Sequence, residues 1–261
     1  MSMTEEERRE AAGALFAAER DHAPIALITD TWPHADVEDA YRISMLVTEM
    51  KLAAGRRIKG HKIGLTSKAM RSTTGATEPD YGTLFDDWFV DEGATVPRSR
   101  LNTPLVEVEI AFVLGSALKG PSVNAADVIR ATDFILPALE VVDFRYDRRP
   151  QLVDSIADAA ACGFVVLGGN PRRLADIDIR RIGGSLLKNG EIEESGVAAA
   201  VMGNPINAIA WLANKLHEFG VTMQPGHVVL SGSFIKAVPF DAGDSLVALF
   251  DTLGEVTLRI S

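Results

Sequence analysis

Cysteine is nearly absent from this chain: Cys162 is the only one among 261 residues. A lone thiol excludes an intramolecular disulfide framework. No catalytic partners for it are evident in the sequence, so it reads as a buried, inert side chain. Positive charge is also scarce, with 26 Lys and Arg against 36 Asp and Glu, a net charge of -10. That balance argues against a nucleic-acid partner. No run is long and apolar enough to span a bilayer, and the first residues are acidic and Arg-rich, unlike a secretion signal. A cytoplasmic location is therefore expected. What remains is an ordinary globular composition, 47% hydrophobic and 24% charged. The length suits one large domain, or one domain with a small helical appendage. An anionic substrate would be repelled by so acidic a chain unless a bound cation or a focused Lys or Arg attracted it locally.

The most informative stretch is Pro104 to Leu114, a strand-like run carrying Glu107 and Glu109. Side chains alternate across a strand. Val106, Val108, Ile110, Phe112 and Leu114 then share one face, and the two carboxylates leave together from the other. Like charges this close repel, and each is expensive to desolvate. A hard divalent cation with oxygen ligands would resolve both problems; a half-exposed strand with an acidic outer face is the plainer alternative. A second apolar run, Phe134 to Asp143, contains Glu140. A buried acid needs a partner, and the candidates are Arg145 or a metal. Three carboxylates on two strands would leave open positions on an octahedral ion for substrate and water. Asp143 faces away from Glu140 and is expected to pair with Arg145.

Other residues with chemical potential are fewer. In Gly60 to Leu65, Lys62 shares a strand face with Gly60 and Gly64, which leaves room for a ligand. A confined lysine can hold a carboxylate or donate a proton from a lowered pKa. His61, on the opposite face, reads as a packed core histidine. Asp80 sits in the turn Glu78-Pro79-Asp80-Tyr81-Gly82, either bonding its own backbone or serving as an acid or base on a rigid loop. Ser231-Gly232-Ser233 offers hydroxyl and amide donors to a carboxylate, or is a plain turn.

The surrounding pattern is mixed α/β. Helices are predicted at Glu5–Glu19, from an Asp36 cap to Gly55, at Ala125–Thr132, and from an Asn204 cap through Pro205 to Phe219. The last has a core stripe of Ile206, Ile209, Ala210, Ala213 and Leu216. Strands are predicted at 163–167 and 183–187, with a hairpin turn at Asn189-Gly190, and at 227–231, 245–250 and 255–260.

Taken in order, several of these stretches resemble the 2-oxo-4-enoate hydratase family of the fumarylacetoacetate hydrolase-like superfamily. They are Gly60-His61-Lys62-Ile63-Gly64-Leu65-Thr66-Ser67-Lys68-Ala69-Met70, Glu78-Pro79-Asp80-Tyr81-Gly82, Val106-Glu107-Val108-Glu109, Pro137-Ala138-Leu139-Glu140-Val141-Val142-Asp143, Ala210-Trp211-Leu212-Ala213-Asn214-Lys215 and Leu230-Ser231-Gly232-Ser233. The first two point, within that family, to hydratases of 2-oxohept-4-ene-1,7-dioate or 2-hydroxypenta-2,4-dienoate.

The resemblance implies a mixed β-roll (α+β) with a small helical N-terminal region over 1–56 and a catalytic domain over 57–261. It implies Mg²⁺ or Mn²⁺ held by Glu107, Glu109 and Glu140. Lys62 and Asp80 match the acid/base candidates, and Ser233 matches the position that holds the substrate carboxylate. The implied reaction adds water to an oxo-dienoic acid, giving a 4-hydroxy-2-oxo acid. A homo-oligomer and a complex with a decarboxylase are also implied. A decarboxylase or C–C hydrolase on the same frame is the alternative, and a non-catalytic metal-stabilised scaffold the third. Asp80 favours the hydratase, because the related decarboxylases carry an apolar residue there; Asp143-Phe144-Arg145-Tyr146 is decarboxylase-like. Ala159 departs from the family, which usually has Asn.

Overall fold

The computed structural model describes residues 2–261. Three helices come first: α1 (Glu5–Asp21), α2 (Ile28–Thr31) and α3 (Val37–Ala53). Thr4 and Asp36 each cap the following helix through a reciprocal box with Glu7 and Asp39, which satisfies otherwise orphaned amides. The Asp36 start and the stop near Gly55 are as the sequence suggested. The chain then runs β1 (Ile58–Gly64), α4 (Lys68–Thr74), β2 (Asp80–Phe85), β3 (Phe89–Val90), β4 (Thr95–Val96), β5 (Leu105–Leu114), α5 (Ala125–Ala131), β6 (Thr132–Val142), α6 (Leu152–Ala157), β7 (Cys162–Leu167), β8 (Gly183–Lys188) and β9 (Glu191–Val197). It finishes with α7 (Pro205–Glu218), β10 (Val228–Leu230), β11 (Val238–Pro239), β12 (Ser245–Phe250) and β13 (Gly254–Ile260).

The strands form two curled sheets. One has the order β2-β1-β10-β5-β6-β7-β3, with β11 also paired to β5; the other has the order β4-β13-β12-β8-β9. Most pairs are antiparallel, but β1·β10, β3·β7 and β4·β13 are parallel. The Asn189-Gly190 hairpin joins β8 to β9, both residues having positive φ, as a two-residue primed turn requires. In α7, Ile206, Ile209, Ala213 and Leu216 are buried as expected; Ala210 is only half-buried, and Ala208 and Leu212 join the stripe instead.

The main hydrophobic core is continuous from the N-terminal helices into the sheets. Tyr41 of α3 stacks on Tyr81 of β2, with ring centroids 4.8 Å apart. Lys51 of α3 is buried, pairs with Glu19 of α1 at 2.5 Å, and lies 4.3 Å from the Trp88 ring centroid. A buried cation of this kind needs a carboxylate and is helped by an aromatic face. Val106, Val108, Ile110, Phe112 and Leu114 lie on the core face of β5, all essentially inaccessible. A smaller apolar cluster, including Leu84, Ala111, Ala138, Cys162, Val165 and Leu230, forms around the other face. The carboxylates of β5 therefore emerge among apolar neighbours and not into bulk water.

Candidate active site

Sheet register alone gathers the site. Glu107 of β5 is directly opposite Glu140 of β6, and Glu109 is opposite Ala138. Cross-strand partners share a face, so the three glutamates emerge together. On the same face, Ala111 pairs with Leu230 of β10, Leu230 with Lys62 of β1, Lys62 with Gly82 of β2, and Gly64 with Asp80. Five ionisable side chains from four strands thus project from one surface. One carboxylate oxygen from each of Glu107, Glu109 and Glu140 lies within 4.8 Å of the others.

Glu109 and Glu140 are 0% exposed, while Glu107 is half-buried and lines a cavity of about 590 Å³. Glu109 Oε2 accepts the Gly232 amide at 2.7 Å. Glu109 Oε1 has no hydrogen-bond partner, nor does either oxygen of Glu140 or Asp80 Oδ1. Lys62 Nζ lies 2.9 Å from Glu140 Oε1 as an ion pair and donates its aligned hydrogen bond to the Ala160 carbonyl at 2.7 Å. Burial and the proximity of Glu140 push the Glu107 carboxyl up to about 7. Burial, with Glu140 and Glu107 adding repulsion, raises Glu109 well above the carboxylate range. Four acids thus face one ammonium. Buried lone pairs without donors and excess negative charge fit a hard divalent cation; the acidic-outer-face alternative does not, because Glu109, Glu140 and Asp80 are buried away from solvent.

Several expectations need correction. Glu140 meets Lys62, not Arg145. Arg145 pairs with Asp158 at 2.5 Å, and its link to Asp143 runs through that residue's backbone carbonyl. The Asp143 carboxylate instead accepts the amides of Asn102 and Thr103. The spaces beside Lys62 are already filled. A side chain at Gly60 would meet the Val228 carbonyl, and one at Gly64 would overlap the Asp80 carboxylate at 2.1 Å. Gly64 thus makes room for Asp80, not directly for a ligand. Asp80 is not a turn residue; it opens β2 and is buried. Burial opposes charge on Lys62, but Glu140, Glu107 and Asp80 outweigh it and raise the pKa. These three carboxylates thus shift Lys62 upward, opposite to the lowered pKa that the sequence suggested. Burial pushes Asp80 up to about 6, partly offset by Lys62.

His61 is 2% exposed, and burial pushes its pKa down to about 3, as a neutral core histidine requires. Cys162 is buried, and burial pushes its thiol upward. Ser233 lines the cavity, with its hydroxyl engaged by the Ile235 amide and carbonyl and within reach of the Val108 carbonyl.

One part of the site went unseen in the sequence. Ala159, Ala160 and Ala161 all have φ between 52° and 64°, a left-handed conformation unfavourable for L-residues other than glycine. The Ala159 carbonyl lies where a side chain at Gly82 would fall, 1.9 Å away. Arg145 clamps both ends of this run, donating from Nη2 to the Asp158 carbonyl at 2.8 Å and from Nη1 to the Cys162 carbonyl at 2.7 Å. The run in turn fixes Lys62 through Ala160. Its only sequence signal was the family Asn at position 159, since Asn tolerates this conformation better than Ala does.

Comparison with known proteins agrees with this architecture. The model of the fumarylacetoacetate hydrolase C-terminal family matches residues 55–261. The chain is 42% identical to a 2-oxo-hept-4-ene-1,7-dioate hydratase from Escherichia coli, over 95% of this chain and 96% of that protein. It is 38% identical to a 2-keto-4-pentenoate hydratase from Paraburkholderia xenovorans, over 97% and 95% respectively. Among solved structures, the 4-oxalocrotonate decarboxylase from Pseudomonas putida G7, complexed with magnesium and adipate, superposes with a TM-score of 0.96 at 35% identity over 99% of both chains. Five ionisable groups on one sheet face and a match to family and relatives along nearly the whole chain lead to one conclusion: the chain belongs to the fumarylacetoacetate hydrolase family.

Proposed function

We propose that this chain is a divalent-metal-dependent hydratase of 2-oxo-4-enoic acids, with Glu107, Glu109 and Glu140 as metal ligands and Lys62 and Asp80 as the groups that manage charge and protons. The observation carrying this reading is the convergence of three carboxylates, Glu109 and Glu140 fully buried and Glu107 half-buried, with Glu109 Oε1 and both Glu140 oxygens without hydrogen-bond partners. The two hydratase relatives give the reaction class. The magnesium in the decarboxylase relative supports a divalent ion; Mg²⁺ and Mn²⁺ both suit an all-oxygen ligand set.

When bound, the ion supplies Lewis acidity at the 2-oxo group and a positive centre for the neighbouring carboxylate. The chain's own residues do the rest. Lys62, protonated and oriented by Ala160, stabilises negative charge developing on the substrate oxygen. Asp80, with a free Oδ1 and a pKa near 6, accepts a proton when the dienol ketonises or when water adds at C4, and returns one to carbon. Its neutral form is available without a large penalty, since burial already disfavours the charge. Ser233 holds the substrate carboxylate in this reading, its hydroxyl exchanging out of its own turn. Apolar side chains that include Val142 and Phe144 wall part of the cavity.

Residues 57–261 form the catalytic unit in this proposal and 1–56 the helical region, consistent with the first strand starting at Ile58. Assembly as a homo-oligomer belongs to the same reading; the outer strand β9 exposes Ile192 (68%) and Val197 among its three glutamates. No helix among the described residues can cross a membrane, and we place the protein in the cytoplasm. A complex with a decarboxylase belongs to the same reading.

A second reading, decarboxylation on the same frame, is favoured by the fit to the decarboxylase structure and by Asp143-Phe144-Arg145-Tyr146. One assay separates the two. Mg²⁺-loaded protein given 2-hydroxypenta-2,4-dienoate or the seven-carbon dioate should bleach the dienol absorbance without releasing CO₂. CO₂ release from 4-oxalocrotonate, with no hydration, supports the decarboxylase instead. Turnover of neither leaves a metal-stabilised scaffold.

A further inference from the structure

The charged residues that line the cavity divide by burial. Lys62 and Asp80 are buried and Glu107 is half-buried, so theirs is the inner end. The apolar lining includes Leu65, Met70, Val142, Phe144, Leu152 and Ile235. The remaining charged lining residues are both cations, Arg149 and Lys236. They come from separate segments, Arg149 from the loop before α6 and Lys236 from the connection between β10 and β11. Both are exposed. Among the described residues neither has an ion-pair partner, whereas the adjacent Arg148 pairs with Asp30 and Asp147.

We propose that Arg149 and Lys236 form a second carboxylate site at the cavity mouth, which selects keto acids bearing an acid group at both ends. This rests on the metal-end reading above. An acid–apolar–acid ligand matches the cation–apolar–cation lining once the inner end holds its metal. A solvated surface cation attracts a free carboxylate weakly. A ligand already anchored at its keto-acid end presents its far carboxylate at high effective concentration, so the same contact contributes far more. The chain's net charge of -10 would otherwise repel a dianion more strongly than a monoanion. Two unpaired cations at the entrance reverse that locally. Water addition leaves both carboxylates in place, so a held far carboxylate suits the hydratase reading; the decarboxylation would expel that same far carboxylate as CO₂.

Binding without turnover tests it. Mg²⁺-loaded protein would be titrated calorimetrically, at low salt, with 2-oxoheptanedioate and with 2-oxoheptanoate, which differ only in the far carboxylate. The wild-type protein should bind the dioate about tenfold more tightly, the scale of a charge-assisted hydrogen bond. In Arg149→Gln/Lys236→Gln that preference should collapse towards equality, with the dioate losing most of the affinity. Both positions are exposed, so the variant should fold; an unchanged melting temperature would verify it. Equal wild-type binding of the two acids, or an undiminished preference in the variant, overturns the mouth site alone. Failure of both acids to bind overturns the metal-end reading and the mouth site with it. A dioate preference in a protein that hydrates nothing removes the hydratase assignment and leaves the mouth site standing.

Discussion

At Asp80, burial and Lys62 act in opposite directions, and burial wins: the pKa rises to about 6. A base works when deprotonated, so activity should fall as pH drops through about 6. The acid limb of a kcat/KM profile reads this, and Asp80→Asn should remove the limb along with roughly 10² or more of the rate, while metal affinity changes little. A variant retaining both rate and limb would show that Asp80 only packs against Gly64. The shared face of Glu107 and Glu109 was legible from alternation alone, because two acids spaced by two on an apolar strand must share a face; Glu140 joined them through the resemblance. Which cation answers Glu140 was not. Arg145 is near Glu140 in sequence, but Lys62 is near it in space, brought across β10 and β5 by the parallel and antiparallel pairings of the sheet.

Among the elements, the Ala159–Ala161 run is where local preference and structure disagree. Three successive left-handed alanines persist because Arg145 holds both ends and the Ala159 carbonyl is seated against Gly82. Strain of this type costs on the order of 1–2 kcal/mol per residue and concentrates at functional sites. Ala160→Gly should therefore stabilise the fold by about 0.5–1 kcal/mol, yet lower kcat by loosening the carbonyl that orients Lys62. Thermal melts and steady-state kinetics check the two halves. A variant that is both less stable and fully active contradicts the account. Helices with capping residues and the Asn-Gly hairpin were readable because their signals are local. This alanine run was not, since nothing in Ala-Ala-Ala announces a left-handed path imposed by an arginine from another segment. Asp80 was read as a turn residue for a similar reason: Pro79-Asp80 is turn-like chemistry, and only pairing with β1 makes Asp80 a strand residue.

For the whole molecule, the fold concentrates negative charge in a low-dielectric pocket, which must tie stability to metal and pH. Glu107 has its folded pKa raised, from 4.5 to about 7. A carboxyl raised on folding contributes stability that is present below its unfolded pKa and lost as pH rises through the folded one. Metal-free protein should accordingly lose stability between about pH 5 and 8. Mg²⁺ binds the deprotonated set, so its increment in melting temperature should be larger at pH 8 than at pH 6; an increment independent of pH would contradict this. The overall β-roll was accessible from the sequence mainly through resemblance, since periodicity predicts strands but not which of them adjoin. The most direct test of the central claim is calorimetric titration of metal-free protein with Mn²⁺ at pH 8, alongside Glu107→Gln and Glu140→Gln. The account predicts one ion per chain, with affinity reduced at least about tenfold in each variant and the fold retained. Unaltered binding in both variants, or no binding in the wild-type protein, would contradict it.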